Sequence, residues 1–174
     1  MVARAIGAPN GDTSIAPTGR VGANAYDCSA GGTSLFVDLP AANVECKHVH
    51  ALASLGINVA FGCGSPSNAC PGATTTREAM AVLVAGGMAG ADASVPASGT
   101  FSDSGASRSY NGTVGGTSHF PDVDPASPTC RHINYLWARG VIDGYLDGTF
   151  KPSAQVTRSQ MAKFLANGFR LKLY

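Results

Sequence analysis

The sequence has few charged side chains. Only 13% of its 174 residues are Asp, Glu, Lys or Arg, and the formal net charge is +1. Globular domains carry about a quarter of charged residues. A nucleic-acid-binding protein needs a basic stripe that neutralises phosphates, so this composition excludes nucleic acid as a partner. The low charge instead favours association with other proteins.

Long apolar runs and catalytic motifs are also missing. No run of about 18 apolar residues exists, which excludes a membrane span. The first six residues, MVARAI, lack the apolar core of a secretory signal, so we expect either a removed signal or another export route. There is no nucleophile elbow, phosphate-binding glycine loop or zinc-protease helix motif. We therefore predict a protein that is not an enzyme and needs no cofactor.

The sequence is rich in residues that form loops and cross-links. It contains 22 Gly, 10 Pro and 5 Cys. Disulfides persist in oxidising compartments, so this composition predicts an extracellular, cell-surface or envelope location. The length suffices for one ordinary domain or for two small ones.

An internal repeat organises the chain. A shift of 84 residues aligns identical residues from Tyr26 with Tyr110 through Gly56 with Gly140. After a three-residue difference in the following loop, a shift of 81 aligns Pro71 onward with Pro152 onward. We therefore predict an extended arm over 1–25, a first copy over 26–90, an Ala/Ser/Gly-rich connection over 91–109, and a second copy with an extended tail over 110–174.

Each copy contains two predicted helices. Apolar residues at three- and four-residue steps predict the first helix at 44–55 and at 129–139. Gly56 and Gly140 then stand where a left-handed cap ends a helix.

The second helix of each copy has a start signal. Thr157 with Gln160 predicts a capping box, and Thr75 with Glu78 predicts one in the first copy. Alternation in the tail after Gly168 predicts a short strand. The predicted fold class is mainly α with short β segments, as two tandem helix–loop–helix repeats packed together, because each helix is too short to be stable alone.

The second copy carries a recognisable series of motifs. FPDV from Phe120 precedes a helix with Trp137, GVIDGYLDGTFKP follows from Gly140, and VTRSQMA follows from Val156. This series resembles the S-layer homology repeat, and residues 36–87 resemble it more loosely. The Cys63 to Cys70 loop of the first copy is similar to a cysteine-bearing branch of that family.

The resemblance implies a non-catalytic module that binds a wall-linked glycan of the cell envelope in grooves between repeats. The Arg of the family's Thr-Arg motif is its main contact. The residues that match family positions are Arg77, Arg158, Tyr145, Asp147 and Gly148. The expected partner is a cell-wall polysaccharide or another envelope component.

An alternative function follows from the number of copies. The family groups three repeats, whereas two are visible here, which leaves a surface for a partner. This alternative is a structural subunit of an extracellular assembly, such as a homo-oligomer, without glycan binding. Arg77 and Arg158 also have a structural interpretation, since an Arg in the first turn of a helix can pin the Gly-rich loop.

The cysteines predict two disulfides. Cys63 and Cys70 flank a Gly/Ser/Pro/Asn loop that brings them together. Cys28 and Cys46 both lie in the first copy. At the corresponding positions the second copy has a cysteine only at Cys130, so a Cys28–Cys46 bridge leaves Cys130 as a free thiol. Pairing of Cys130 with Cys28 or with Cys46 stays open.

Metal binding is not expected. Cys and His two residues apart on a helix point to different faces, so they rarely bind one metal ion. Cys46 and His50 are four apart and could do so, but the second copy has Asn134 in place of His50. The glycine-rich loop around Asp143 and Asp147 lacks the terminal Glu of a calcium loop. Trp137 is predicted to lie in the core.

Overall fold

A computed structural model describes residues 15–102 and 105–170. The chain divides into two compact units, Met1–Ala73 and Thr74–Tyr174, here called unit 1 and unit 2. Each unit is described by itself.

The described residues of unit 1 form a hairpin and a helix. Strand β1 (Thr18–Val21) pairs antiparallel with β2 (Asn24–Asp27). Helix α1 (Cys46–Ser54) packs on β1. The buried apolar residues of this unit are few: Ile15, Tyr26, Leu39, Cys46, Leu52 and Ile57.

Both predicted disulfides lie in unit 1. Cys28 is bonded to Cys46 with a Cα–Cα distance of 5.7 Å, and Cys63 to Cys70 with 5.9 Å. Cys130 is free and buried. The predicted pairing is confirmed, and a unit with so small a core gains much of its stability from such cross-links.

Unit 2 contains three helices and a second hairpin. In chain order these are α2 (Arg77–Ala89), β3 (Ser98–Phe101), β4 (Arg108–Asn111), α3 (Cys130–Ala138) and α4 (Arg158–Gly168). A single turn of 3-10 helix, Asp92–Ser94, follows α2. Helix α2 packs against α3 and α4, and α3 also packs on the β3–β4 hairpin. The largest fully buried side chains of the unit include Phe120, Phe150, Met80, Ile133 and Leu136.

The two first helices end as predicted. Gly56 and Gly140 have φ of +74° and +69°, conformations that side-chain-bearing residues avoid. After α3, the amide of Gly140 donates to Trp137 and that of Val141 donates to Leu136, and Gly56 and Ile57 repeat this pattern after α1. These are the paired hydrogen bonds of a Schellman motif.

The second helices begin with threonine caps. The hydroxyl of Thr157 accepts from the amide of Gln160, whose side chain accepts from the amide of Thr157, so the predicted capping box is confirmed. In the first copy the predicted cap is wrong by one residue, because Thr76, not Thr75, caps α2 by accepting from the amide of Ala79.

Loss of the Thr157 cap should destabilise unit 2 modestly. We expect Thr157→Ala to lower the free energy of unfolding by about 1 kcal/mol, because the amide of Gln160 loses its acceptor. Urea unfolding followed by circular dichroism measures this change. Thr157→Ser keeps the hydroxyl and serves as the matched control; an equal loss in both variants would contradict a capping role.

The predicted fold class is wrong. The described residues form four helices and two small antiparallel sheets, 29% helical and 12% strand, which is a mixed rather than mainly α structure. The first helices are only nine residues long. They complete their packing on hairpins, and α2 lies in the same compact unit as α3 and α4 instead of forming a separate helix–loop–helix with α1.

Some predictions fall partly outside the described residues. Residues 1–14 of the predicted arm and 171–174 of the predicted terminal strand are among those not described. The described part of the arm contributes β1 and the start of β2, and strand β3 lies in the predicted connection. None of the described helices is long and apolar enough to cross a membrane.

Candidate functional site

A cavity of about 140 Å³ opens in unit 2 beside the start of α2. Residues of three segments line it: Arg77, then the stretch from Val141 to Tyr145, and then Gln160, Lys163 and Phe164 of α4. The cavity therefore collects residues that are far apart in sequence around one arginine.

Arg77 is buried at this cavity, with 3% of its surface exposed. Its Nε donates to the carbonyl of Phe150. The guanidinium carbon lies 4.7 Å from the ring centre of Tyr145, 4.6 Å from that of Phe150 and 5.5 Å from that of Phe164. Three aromatic faces thus stabilise one desolvated cation.

Backbone hydrogen bonds fix the start of α2 against residues 152–156. The amides of Arg77 and Glu78 donate to the carbonyls of Ala154 (2.8 Å) and Pro152 (3.0 Å). The amide of Val156 donates to the carbonyl of Thr75 (2.9 Å). The first amides of a helix lack partners within the helix, so this segment satisfies two of them and holds Arg77 in place.

An aspartate holds the turn that precedes this segment. The carboxylate of Asp122 accepts from the amides of Phe150 (2.8 Å) and Lys151 (2.7 Å). Lys151 adopts φ of +58°, which is unfavourable for a residue with a side chain. The two charge-assisted hydrogen bonds stabilise this conformation and present the carbonyls of Pro152 and Ala154 to α2.

The glycine-rich loop that carries Tyr145 is tightly built. Gly144 has φ of +79°, and an added Cβ would lie 2.5 Å from a ring carbon of Phe120, so only glycine fits. The carboxylate of Asp147 accepts from the amide (3.0 Å) and the hydroxyl (2.6 Å) of Thr149. These bonds, with the nearby Lys151 ammonium, lower the pKa of Asp147 to about 2. Asp147 is therefore an ionised brace of the loop at neutral pH.

The electrostatics of the cavity favour an anion. Burial lowers the pKa of Arg77, while the nearby Tyr145 and Asp122 act in the opposite direction. Among the salt bridges of the described residues none involves Arg77. Lys163 adds a second cation, whereas Asp143, the acid of the lining, is already paired with Arg108 at 3.2 Å.

The structure brings together two of the five residues that the family pattern marks. Arg77 and Tyr145 line the cavity. Arg158 lies exposed in the first turn of α4, and Asp147 and Gly148 lie in the exposed turn of the loop, outside the lining. Gln160 belongs to the motif, whereas Lys163 and Phe164 were not marked by it. These two residues stand three and four positions after Gln160 and so share its helix face, and that spacing was the available signal.

Comparison with known families covers this part of the chain. Residues 119–162, which include the Asp122 turn, the Tyr145 loop and the start of α4, match the model of the S-layer homology domain. This segment is thus similar to the S-layer homology domain. The resemblance stated from the sequence is thereby confirmed for the second copy, while two tandem repeats remain a hypothesis.

The S-layer homology match has a functional consequence. Such domains are typically non-catalytic modules that anchor their carrier to cell-wall polymers, so the match implies an association with the cell surface or envelope. Searches of curated proteins and of solved structures gave no significant match.

A buried polar brace precedes the S-layer homology loop and was missed from the sequence. Asn134 accepts from the amide of His119 (3.0 Å) and donates to the carbonyl of Thr117 (3.0 Å). In unit 1, His50 stands 84 residues earlier and accepts from the amide of Leu35 (3.0 Å). His50 and Asn134 occupy the same position of the repeat, and both are buried on their helices. That shared polar position could have indicated the brace from the sequence.

One group of possible metal ligands occurs among the described residues. Cys28, Cys46 and His50 offer ligand atoms within 4.8 Å of one another. The two sulfurs are bonded to each other, so they are not available as thiolate ligands.

Trp137, which we expected in the core, is half-buried and stacks on His119 with ring centres 3.7 Å apart.

Proposed function

We propose that unit 2 binds an acidic group of a cell-wall polysaccharide in the cavity beside Arg77. The buried guanidinium carries the proposal, because it is desolvated by three aromatic rings and forms no salt bridge among the described residues. The nearby Asp122 carboxylate is engaged by two backbone amides instead. A buried charge without a directly bonded counter-charge is costly, and an acidic substituent of the polymer would supply one. The planar guanidinium suits a carboxylate or phosphate, to which it can donate two parallel hydrogen bonds.

Tyr145 and Lys163 have different parts in this proposal. The ring of Tyr145 contacts the Arg77 guanidinium at 4.7 Å and the Lys151 ammonium at 4.2 Å, so it helps to fix the guanidinium in place. Lys163 supplies the second positive charge at the rim. Asp147 and Gly148 shape the loop that carries Tyr145. Arg158 matches the family pattern but lies outside the cavity lining, so this proposal gives it no contact with the polymer.

Removing or reversing a positive charge of the cavity should weaken polymer binding. We expect Lys163→Glu and Arg77→Gln each to reduce affinity for purified wall polysaccharide roughly 10- to 100-fold, because each loses charge-assisted hydrogen bonding to the acidic group. The measurement is titration calorimetry or sedimentation with isolated cell walls at fixed salt, since salt screens such contacts.

Arg158→Ala is the matched control, because Arg158 has the same place in its helix but lies outside the cavity lining. It should bind like the parent. Unchanged binding by folded Lys163→Glu and Arg77→Gln proteins would exclude the cavity as the polymer site. The alternative function, a subunit of an extracellular assembly, rests on a different surface, the exposed start of α4.

A further inference from the structure

The start of α4 is built like the start of α2 but is not covered. The amides of Arg77 and Glu78 donate to residues 152–156, whereas the amides of the corresponding Arg158 and Ser159 have no acceptor among the described residues. The side chains differ in the same way. Met80 and Ala81 are fully buried, while their counterparts 81 residues later, Met161 and Ala162, are half-buried and exposed.

The turn that covers α2 is built a second time, in unit 1. The carboxylate of Asp38 accepts from the amides of Ala69 (2.7 Å) and Cys70 (2.8 Å), as Asp122 does in unit 2. Cys70 has φ of +50°, close to the +58° of its counterpart Lys151. The amide of Ala73 donates to the carbonyl of Cys70 at 3.0 Å, as that of Ala154 does to Lys151.

Two carbonyls of this second turn accept no backbone hydrogen bond from the described residues. Those of Pro71 and Ala73 correspond to Pro152 and Ala154, which accept from α2, yet no amide of the described residues donates to them. Residues 71–74 are exposed, and the Cys63–Cys70 disulfide cross-links the loop from which they emerge. Within the part of the chain that the structure describes, unit 1 therefore presents carbonyl acceptors to which no amide donates, and unit 2 presents amides that have no acceptor.

The first helix of unit 1 shows the same difference. In unit 2, α3 packs against α2 and buries Ile133 and Ala138. The corresponding residues of α1, Val49 and Ser54, are half-buried and exposed. The face of α1 that corresponds to the α2-contacting face of α3 is thus also exposed, and it could contact a helix docked on the turn.

We infer that the chain self-associates head to tail, with the start of α4 of one copy docked on the 70–75 turn of a second copy. The amides of Arg158 and Ser159 donate to the carbonyls of Ala73 and Pro71. The Arg158 side chain lies against Phe61, which stands 84 residues before Tyr145. We choose a second copy as the partner because its 70–75 turn resembles the turn that covers α2. Both turns have an aspartate that accepts from two amides, a residue with positive φ, and carbonyls that can accept from a helix start.

This contact joins two different surfaces, so it is heterologous and each bound copy offers a further site. It closes into a ring or continues as a chain. One helical turn and one loop form a small interface, which belongs to the weak, transient class. The contact uses Arg158 and Ser159, which lie outside the lining of the cavity beside Arg77, and its test uses no polysaccharide.

Complementation between two variants tests the proposal. Ala162→Arg blocks the helix surface and leaves the turn intact; Ala73→Arg blocks the turn and leaves the helix intact. Arg158→Pro is a second helix-side variant that removes one donor amide, at the first helical position where proline is well tolerated. Val114→Arg, at a residue 81% exposed elsewhere in unit 2, adds the same charge as a control.

Sedimentation velocity from about 5 to 500 µM covers the affinity range of small interfaces. The parent and Val114→Arg should sediment faster as concentration rises, while each blocked variant stays at the 17.6 kDa mass of one chain. An equimolar mixture of Ala162→Arg and Ala73→Arg should form a species of twice that mass, because each supplies the surface the other lacks.

Three results would overturn the proposal. They are a parent that stays monomeric throughout the range, blocked variants that associate like the parent, and a mixture without the heterodimer. Circular dichroism confirms that each variant is folded. Arg158→Pro should associate with Ala162→Arg no better than either does alone, since both lack the helix surface.

Discussion

Replacement of Cys28 and Cys46 by alanine is expected to lower the free energy of unfolding of unit 1 by about 3 kcal/mol. The bridge closes a segment with a sequence separation of 18 and ties the end of β2 to the first residue of α1. Its main effect is to restrict the unfolded chain. Cys46 is also fully buried, so its loss removes packing from a core with few other members.

Hydrogen exchange gives a measurement resolved by unit. Amides of β2 and α1 should lose protection in the Cys28→Ala/Cys46→Ala protein, while those of α2 and α3 should keep it.

The Cys63–Cys70 bridge spans a sequence separation of only 7, so its removal should lower the free energy of unfolding by less, about 2.5 kcal/mol. Cys130→Ala, which breaks no bridge, is the control. Equal protection in the parent and the doubly substituted protein would contradict a stabilising role.

Helix positions, helix ends and disulfides were predictable because each depends on a few residues close in sequence. Helices α1 and α3 lie within two residues of their predicted bounds. Gly56 and Gly140 end them because only a left-handed residue satisfies the last carbonyls. The missed cap at Thr76 shows the limit, since three consecutive threonines offer three similar hydroxyls.

The fold class was not predictable because the strands carry little local signal. Each of the four strands is four residues long, too short for a clear alternation. Their pairing depends on contacts between strands rather than on propensity. The same applies to α2, whose place beside α3 and α4 is set by residues more than 40 positions away.

The candidate site was predictable in its residue types but not in its location. Arg77 and Arg158 follow a threonine cap in the same motif, so the sequence treats them alike. Residues 145–156 bury the first and not the second, and this difference comes from long-range packing. The structure thus distinguishes a buried arginine beside a cavity from an exposed one, which the motif alone could not do.

Acid should destabilise unit 2 through His132. This side chain is 5% exposed, and burial, assisted by the charge of Arg131, lowers its pKa from 6.5 to about 4. The Asp92 carboxylate, 4.0 Å from Nε2, favours the charged form but does not offset the burial. The folded state therefore holds His132 neutral, whereas the unfolded chain binds a proton below pH 6.5.

The sign and size follow from this difference. Above pH 6.5 His132 is neutral in both states, so its contribution to stability is constant. As the pH falls from 6.5 to 4, the unfolded state binds a proton at His132 and the folded state does not, so the free energy of unfolding falls by about 3 kcal/mol. Urea unfolding at several pH values measures this loss, and His132→Gln should abolish that share of it. His119, whose pKa burial also lowers, remains in both proteins, so only their difference reports on His132. Parallel pH curves for parent and His132→Gln would show that His132 is protonated equally in both states.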